Sequence, residues 1–261
     1  MTKQIIKIVI IATLFIGGLS FGDGLLPSIT KGDIIDRAGK QRMLSQRIIK
    51  DYFYIAKDVN TLNAIKQMRR SFVHFKRTQK KLNEMIKDAE IKNLIAFVDM
   101  NIKEFVKLSR EKYSIDNGII MLDLSESILE GSDYIVKALT KGQKSNEIIN
   151  IAGKQRMLSQ RIAKYYIAYQ VGIKDENTIG QMKASVKEFD DNLKFLLSLK
   201  ENSPEIKKEL QDVAHKWSIV YKFYLNIEKG GLPKIVFSST DKITQKMDDI
   251  VGMYVPILKD K

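Results

Sequence analysis

Two arginines, Arg42 and Arg156, sit in identical eleven-residue strings, Ala-Gly-Lys-Gln-Arg-Met-Leu-Ser-Gln-Arg-Ile, at Ala38–Ile48 and Ala152–Ile162. A guanidinium is planar, permanently charged and forked, so it matches a planar oxyanion through paired hydrogen bonds. The neighbours suit such a ligand. Ala38 and Gly39, and Ala152 and Gly153 in the second copy, lie one helical turn before the arginine and leave room for close approach. Ser45 and Ser159 lie one turn after it and offer a hydroxyl donor. These eight residues are the candidate ligand-binding set. Two arginines from two copies of one helix could sandwich a single small anion on a pseudo-two-fold axis.

The identity is uneven. From Ile34 to Tyr52, 15 of 19 positions equal their partners 114 residues later, against 6 of 23 from Phe53 to Phe75. Helix packing asks only for apolar residues of suitable size. Keeping Lys, Gln, Arg, Ser, Gln and Arg identical asks for more, so function is expected where identity peaks. Ile35, Ala38, Arg42, Ser45, Ile49 and Tyr52 follow the alternating three-four spacing of a helical seam. Ile149, Ala152, Arg156, Ser159, Ala163 and Tyr166 do the same. A second stripe, Ile34, Gln41, Leu44, Ile48 and Ile55, can face its own core. Each arginine thus interrupts a small and apolar seam and needs an anionic partner, because an unpaired buried guanidinium is very costly. That partner is a ligand or a carboxylate of the same bundle.

The elements that carry the seam are helices. Prolines occur only at Pro27, Pro204, Pro233 and Pro256, and apolar residues recur at helical spacing, as in Leu94, Phe97, Val98, Ile102, Phe105 and Leu108. The pattern predicts four helices per repeat, at about 33–57, 62–88, 91–112 and 119–140, then 147–170, 178–200, 204–228 and 234–254. Asp116-Asn117-Gly118 reads as a turn, and Ser145 or Asn146 as an N-cap. The expected fold is all-α: two tandem up-and-down four-helix bundles forming an intramolecular pseudo-dimer. The domain division is 1–22 signal peptide, 23–32 linker, 33–140 first module, 141–146 linker and 147–254 second module. End-to-end stacking through a continuous helix across Thr140–Asn150 is the structural rival, disfavoured by Gly142 and the polar run after it.

Composition narrows the functional classes. Lys3 and Lys7, the apolar run Ile8–Ile16 and the small-x-small Ser20-Phe21-Gly22 resemble a cleaved secretory signal. The run is short for a membrane span, which needs about 20 apolar residues. The expectation is a periplasmic, exported protein, with an uncleaved inner-membrane tether as the rival. Cleavage lowers the formal charge from +13 to +11. Export argues against nucleic acid, and solvated lysines on helical faces account for much of the excess. With no cysteine there are no disulfides and no thiol chemistry. No nucleophile–base constellation, phosphate loop or metal-ligand cluster stands out, so neither an enzyme nor a metal or cofactor is expected.

The string Ala-Gly-x-x-Arg-Met-x-Ser-x-Arg resembles the signature of PilJ-type domains, the N-terminal ligand-binding modules of type IV pilus chemotaxis transducers. It is also similar to the "P-box" helix of bacterial nitrate/nitrite sensor kinases. The resemblance implies periplasmic four-helix bundles, some of which bind nitrate between the first helices of two subunits. The family's anion-binding arginine, just before Met, falls on Arg42 and Arg156. Here both modules occupy one polypeptide, without the family's second membrane span, linker helix, kinase or methyl-accepting region. The resulting expectation is a sensory protein that recognises nitrate or nitrite and passes the signal to a membrane-bound sensor kinase or chemoreceptor. The alternative is a protein–protein interaction module associated with type IV pili or a chemosensory receptor, without a small-molecule ligand. Arg47 and Arg161 lie off the seam and read as structural ion-pair partners; Lys40 and Lys154 read as solvated.

Overall fold

The structure, a computed structural model, describes residues 31–141, 144–229 and 231–257. The expected signal segment lies outside them, as does most of the linker after it. Eight α-helices follow in order: α1 (Lys31–Ala56), α2 (Thr61–Met85), α3 (Ala89–Leu108), α4 (Ile115–Thr140), α5 (Lys144–Gln170), α6 (Glu176–Ser198), α7 (Pro204–Leu225) and α8 (Pro233–Ile257). A short 3-10 turn, Ile227–Lys229, precedes α8. Among the described residues there is no strand, and no helix is long and apolar enough to cross a membrane.

Local chemistry sets the helix starts. Asp88, Ser114, Asp175 and Ser203 each accept a hydrogen bond from a backbone N–H of the first turn, and Pro204 follows its cap at a position that needs no donor. Asp116, Asn117 and Gly118 do not form the expected turn. Ser114 captures the Asn117 N–H, so α4 begins at Ile115 and Gly118 is buried inside it. A Cβ on Gly118 would stand 3.0 Å from Ile173 and 3.3 Å from Phe53, so its smallness serves packing. Neither Ser145 nor Asn146 is an N-cap, because α5 already begins at Lys144.

Helices α1–α4 pack as one bundle and α5–α8 as another, and their buried apolar residues join in one continuous core. In the first bundle α1 packs on α2 and α4, with α3 against α4; in the second, α5 packs on α6 and α8, with α7 against α8. On α3 the inward face is Ile91, Ile95, Val98, Ile102, Phe105 and Leu108, whereas Phe97, expected on that face, is exposed. The most extensive contact between helices is α1 against α5, so the bundles lie side by side rather than end to end. Both first helices are central to the molecule, covered by their own bundle on one side and by each other on the opposite side. Their mean hydropathy is accordingly low for such buried elements, because polar side chains occupy interior positions and need partners there.

Candidate functional site

The seam residues expected on α1 and α5 are buried: Ile35, Ala38, Arg42, Ser45, Ile49 and Tyr52 on one helix, and Ile149, Ala152, Arg156, Ser159, Ala163 and Tyr166 on the other. Ala38 and Ala152 keep the two helices close. Gly39 and Gly153 do the same at the level of the arginines. A Cβ on Gly39 would stand 3.3 Å from Arg156 Nη2 and 3.4 Å from Arg42 Nη2; one on Gly153 would stand 3.1 Å from Arg156 Nη2 and 3.7 Å from Arg42 Nη2. Both guanidinium groups therefore converge on the same glycine pair from opposite helices.

Each arginine is 0 % exposed and already meets carboxylates. Arg42 Nη1 donates to Asp133 Oδ1 of α4 at 2.7 Å. Arg156 Nη1 donates to Asp36 Oδ1 of α1 at 2.7 Å and also to Asp248 Oδ1 of α8. Lys40 bridges Asp36 at 3.1 Å and Asp248 at 3.4 Å, and Lys137 holds the other oxygen of Asp133 at 2.9 Å. Lys154 pairs with Glu188 at 2.5 Å. Lys40 and Lys154 are thus ion-pair partners rather than solvated lysines. Ser45 and Ser159 hydroxyls each donate to the backbone carbonyl of the arginine one turn back, at 2.9 Å, so neither offers its proton to a ligand.

The two halves of this cluster are related by the repeat, and among the positions that break the symmetry one supplies a carboxylate directly to an arginine. Asp133 and Asp248 correspond at an offset of 115, Arg42 and Arg156 at 114. Asp36 corresponds at 114 to Asn150, not to a carboxylate. Where Arg156 receives Asp36, Arg42 Nη2 has only the Asn150 backbone carbonyl at 3.5 Å. The Asn150 Oδ1 and Arg156 Nη2 are buried without a hydrogen-bond partner among the described residues. Burial pulls the Arg42 pKa down, and Asp133, with a smaller contribution from Glu188, does not make up the difference against burial and the repulsion of Arg156; Arg156, equally buried, lies above its ordinary value because Asp36 and Asp248 outweigh burial. Arg42 is the under-compensated side.

The glutamines of the duplicated string have structural partners. Gln41 Nε2 donates to the Phe75 carbonyl at 3.2 Å and to Gln79 Oε1, and Gln155 Nε2 to the matching Phe189 carbonyl at 2.9 Å. Gln46 reaches the Ser125 carbonyl, and Gln160 reaches Asp241 and Thr244. Beyond the string, buried Lys50 and Lys164 cross between bundles. Lys50 of α1 pairs with Asp241 of α8 at 2.9 Å, and Lys164 of α5 with Glu126 of α4. Arg161 is the ion-pair partner expected, reaching Glu126 Oε2 at 2.6 Å and Gln181 at 2.9 Å. Arg47 has no hydrogen-bond or ion-pair partner among the described residues, contrary to that expectation, because Gln67 and Asp241 are taken by Lys50.

Sequence reasoning missed Asp36, Asp133, Asp248 and Asn150, and the crossing pairs with them. The signal was present: Asp133 with Asp248, and Glu126 with Asp241, recur at the offset of 115 that already relates Ile135-Val136 to Ile250-Val251. Carboxylates repeated on the last helix of each bundle are the natural partners of cations repeated on the first.

Residues 138–230 match the family described as type IV pili methyl-accepting chemotaxis transducer N-term, PilJ. The match begins at the end of α4 and runs through α5, α6 and α7, so it contains the second copy of the string with Arg156, Gly153 and Ser159. No curated protein and no solved structure matches the chain. The PilJ match thus agrees with the resemblance carried by the motif in the second half; it does not extend to the first half, which shares the duplicated string.

Proposed function

We propose that the protein is an exported sensory module, built of two PilJ-like bundles paired through α1 and α5, that recognises one small monovalent oxyanion, nitrate or nitrite, between Arg42 and Arg156. The PilJ match supports a sensory or interaction role related to chemotaxis transducers. The observation that carries the ligand is the broken symmetry: two buried arginines converge on Gly39 and Gly153, with a carboxylate at Asp36 and only an amide at Asn150. A monoanion completes the set as the counterpart of Asp36. It takes its hydrogen bonds from the two Nη2 groups, of which that of Arg156 has no partner among the described residues and that of Arg42 only the long contact to the Asn150 carbonyl at 3.5 Å. A dianion would overshoot this balance, and an oxyanion exploits the planar fork that chloride cannot.

The test is calorimetric and thermal-shift titration of the mature protein with nitrate, nitrite, sulfate and chloride. One nitrate or nitrite per chain is expected, with a melting temperature that rises by linkage. Gly39→Ala separates site from scaffold. Gly to Ala within a helix ordinarily stabilises by about 1 kcal/mol, and the added methyl stands between the two Nη2 groups. Binding should fall at least about tenfold with the fold intact, since each lost charge-assisted hydrogen bond is worth roughly 1.5–3 kcal/mol. No heat and no thermal shift with any of the four anions at millimolar concentration would overturn the ligand reading and leave the interaction module.

A further inference from the structure

A second cationic site lies away from the arginine pair. A cleft of about 600 Å³ opens between α1, α2 and α8, and Arg47, Lys66 and Arg70 line it together with His74. That volume is within the range of small-molecule pockets, roughly 300–1,000 Å³. None of these four side chains has a hydrogen-bond or ion-pair partner among the described residues, and the Arg47 Nε is buried without one. The one carboxylate in the lining, Asp241, is engaged by the fully buried Lys50 and by the Gln67 amide. Arg47 feels Asp241 only through space, and cations outnumber the lining carboxylate, so the cleft carries an excess of positive charge. Leu44 and Phe237 give it an apolar wall.

The repeat supplies an internal control. At the offsets of the two halves, Lys66, Arg70 and His74 correspond to Gly180, Ala184 and Glu188, and Ser238 to Asp123. The matching arginine, Arg161, is closed off by Glu126 and Gln181. Three cations against one engaged carboxylate on one side thus become, on the other, Arg161 and Lys174 against Asp123, Glu126 and Glu188. A merely solvated face gives no reason for the two halves to differ in this one direction while Leu44, Arg47, Gln67 and Ser71 stay the same as Leu158, Arg161, Gln181 and Ser185.

We infer that the cleft between α1, α2 and α8 binds a small organic polyanion, a di- or tricarboxylate, gripped by Arg47, Lys66 and Arg70 with its carbon skeleton against Leu44 and Phe237. Because the cleft draws walls from both bundles, such a ligand would hold α8 of the second bundle against α2 of the first. The probe is citrate, titrated at fixed ionic strength into the mature chain, with succinate and pyrophosphate as comparisons. The variant combines Lys66→Gln with Arg70→Ala; both side chains are exposed on α2, and Ala is what the other repeat carries. Saturable citrate binding is expected, weakened at least about tenfold in the double variant, as expected when charge-assisted contacts are removed. Citrate binding should persist in Gly39→Ala, which separates this site from the oxyanion site. No saturable binding of citrate or succinate, equal binding by the double variant, or binding of pyrophosphate alone would each overturn the inference.

Discussion

At the scale of single residues, the arginines hold the fold through buried ion pairs. Arg156 neutralises two carboxylates, Asp36 and Asp248, whereas Arg42 shares Asp133 with Lys137. Removing one partner of a buried pair costs about 3–5 kcal/mol because the other charge is stranded. Arg156→Met should fall in that range by chemical denaturation, and Arg42→Met should cost less; equal or negligible losses would contradict the pairing. Asp51 makes a separate point. It is fully buried on α1, and burial pushes its pKa up to about 8, against the partial relief from Lys50. The native protein therefore keeps a proton that the unfolded chain, with its ordinary value of 3.8, has lost. Stability contributed by this group is full below the unfolded value and declines as pH rises from there towards about 8, beyond which it levels off. Asp51→Asn carries no such proton. The stability of the variant relative to the native protein should grow across that window and flatten above it, as read from urea midpoints at a series of pH values. A pH-independent difference would show that Asp51 is ionised in the fold.

At the scale of elements, α1 and α5 are polar helices placed where apolar ones are usual, and the crossing ion pairs make this tolerable. Lys50 reaches α8 and Lys164 reaches α4, so each first helix is bound to the last helix of the opposite bundle. Burial drives the Lys164 pKa down to about 8 even with Glu126 beside it, while Lys164 and Arg161 overcome burial of Glu126 and hold its pKa at about 2. Glu126→Gln keeps the shape and removes the charge that both cations use. A loss of about 3–5 kcal/mol is expected, and a change within experimental error would mean that the crossing pairs do not join the bundles. Helix packing by apolar side chains has its own sensitive point. A Cβ on Gly131 of α4 would stand 2.8 Å from Val98 and 3.0 Å from Phe97 of α3. Gly131→Ala should destabilise by about 1–3 kcal/mol through overpacking, whereas Gly252→Ala on α8, where nothing lies within 4 Å, should not.

At the scale of the whole molecule, the repeat explains which features could be read from the chain alone. Helical spacing and the paucity of proline disclose eight helices, and the seam of small residues around Arg42 and Arg156 discloses that α1 meets α5. The partners of the arginines were harder to see, because Asp133 and Asp248 recur at a spacing one residue longer than the arginines do, within helices that otherwise diverged. The cationic cleft was hidden for a different reason: Arg47 lies on α1 and Lys66 and Arg70 on α2, and only the packing of those helices, with α8 of the other bundle as a third wall, makes them one lining. Duplication in one chain also allows what a symmetric dimer does not, a carboxylate on one side of the axis and an amide on the other. The central claim is that this difference, Asp36 against Asn150, makes the place for one oxyanion. Calorimetric titration of nitrate into Asn150→Asp, compared with the native protein, tests it most directly. The new carboxylate should pair with Arg42 as Asp36 pairs with Arg156, raise the ligand-free melting temperature and abolish the single binding event expected of the native chain. Nitrate binding by Asn150→Asp as strong as that of the native protein would contradict it.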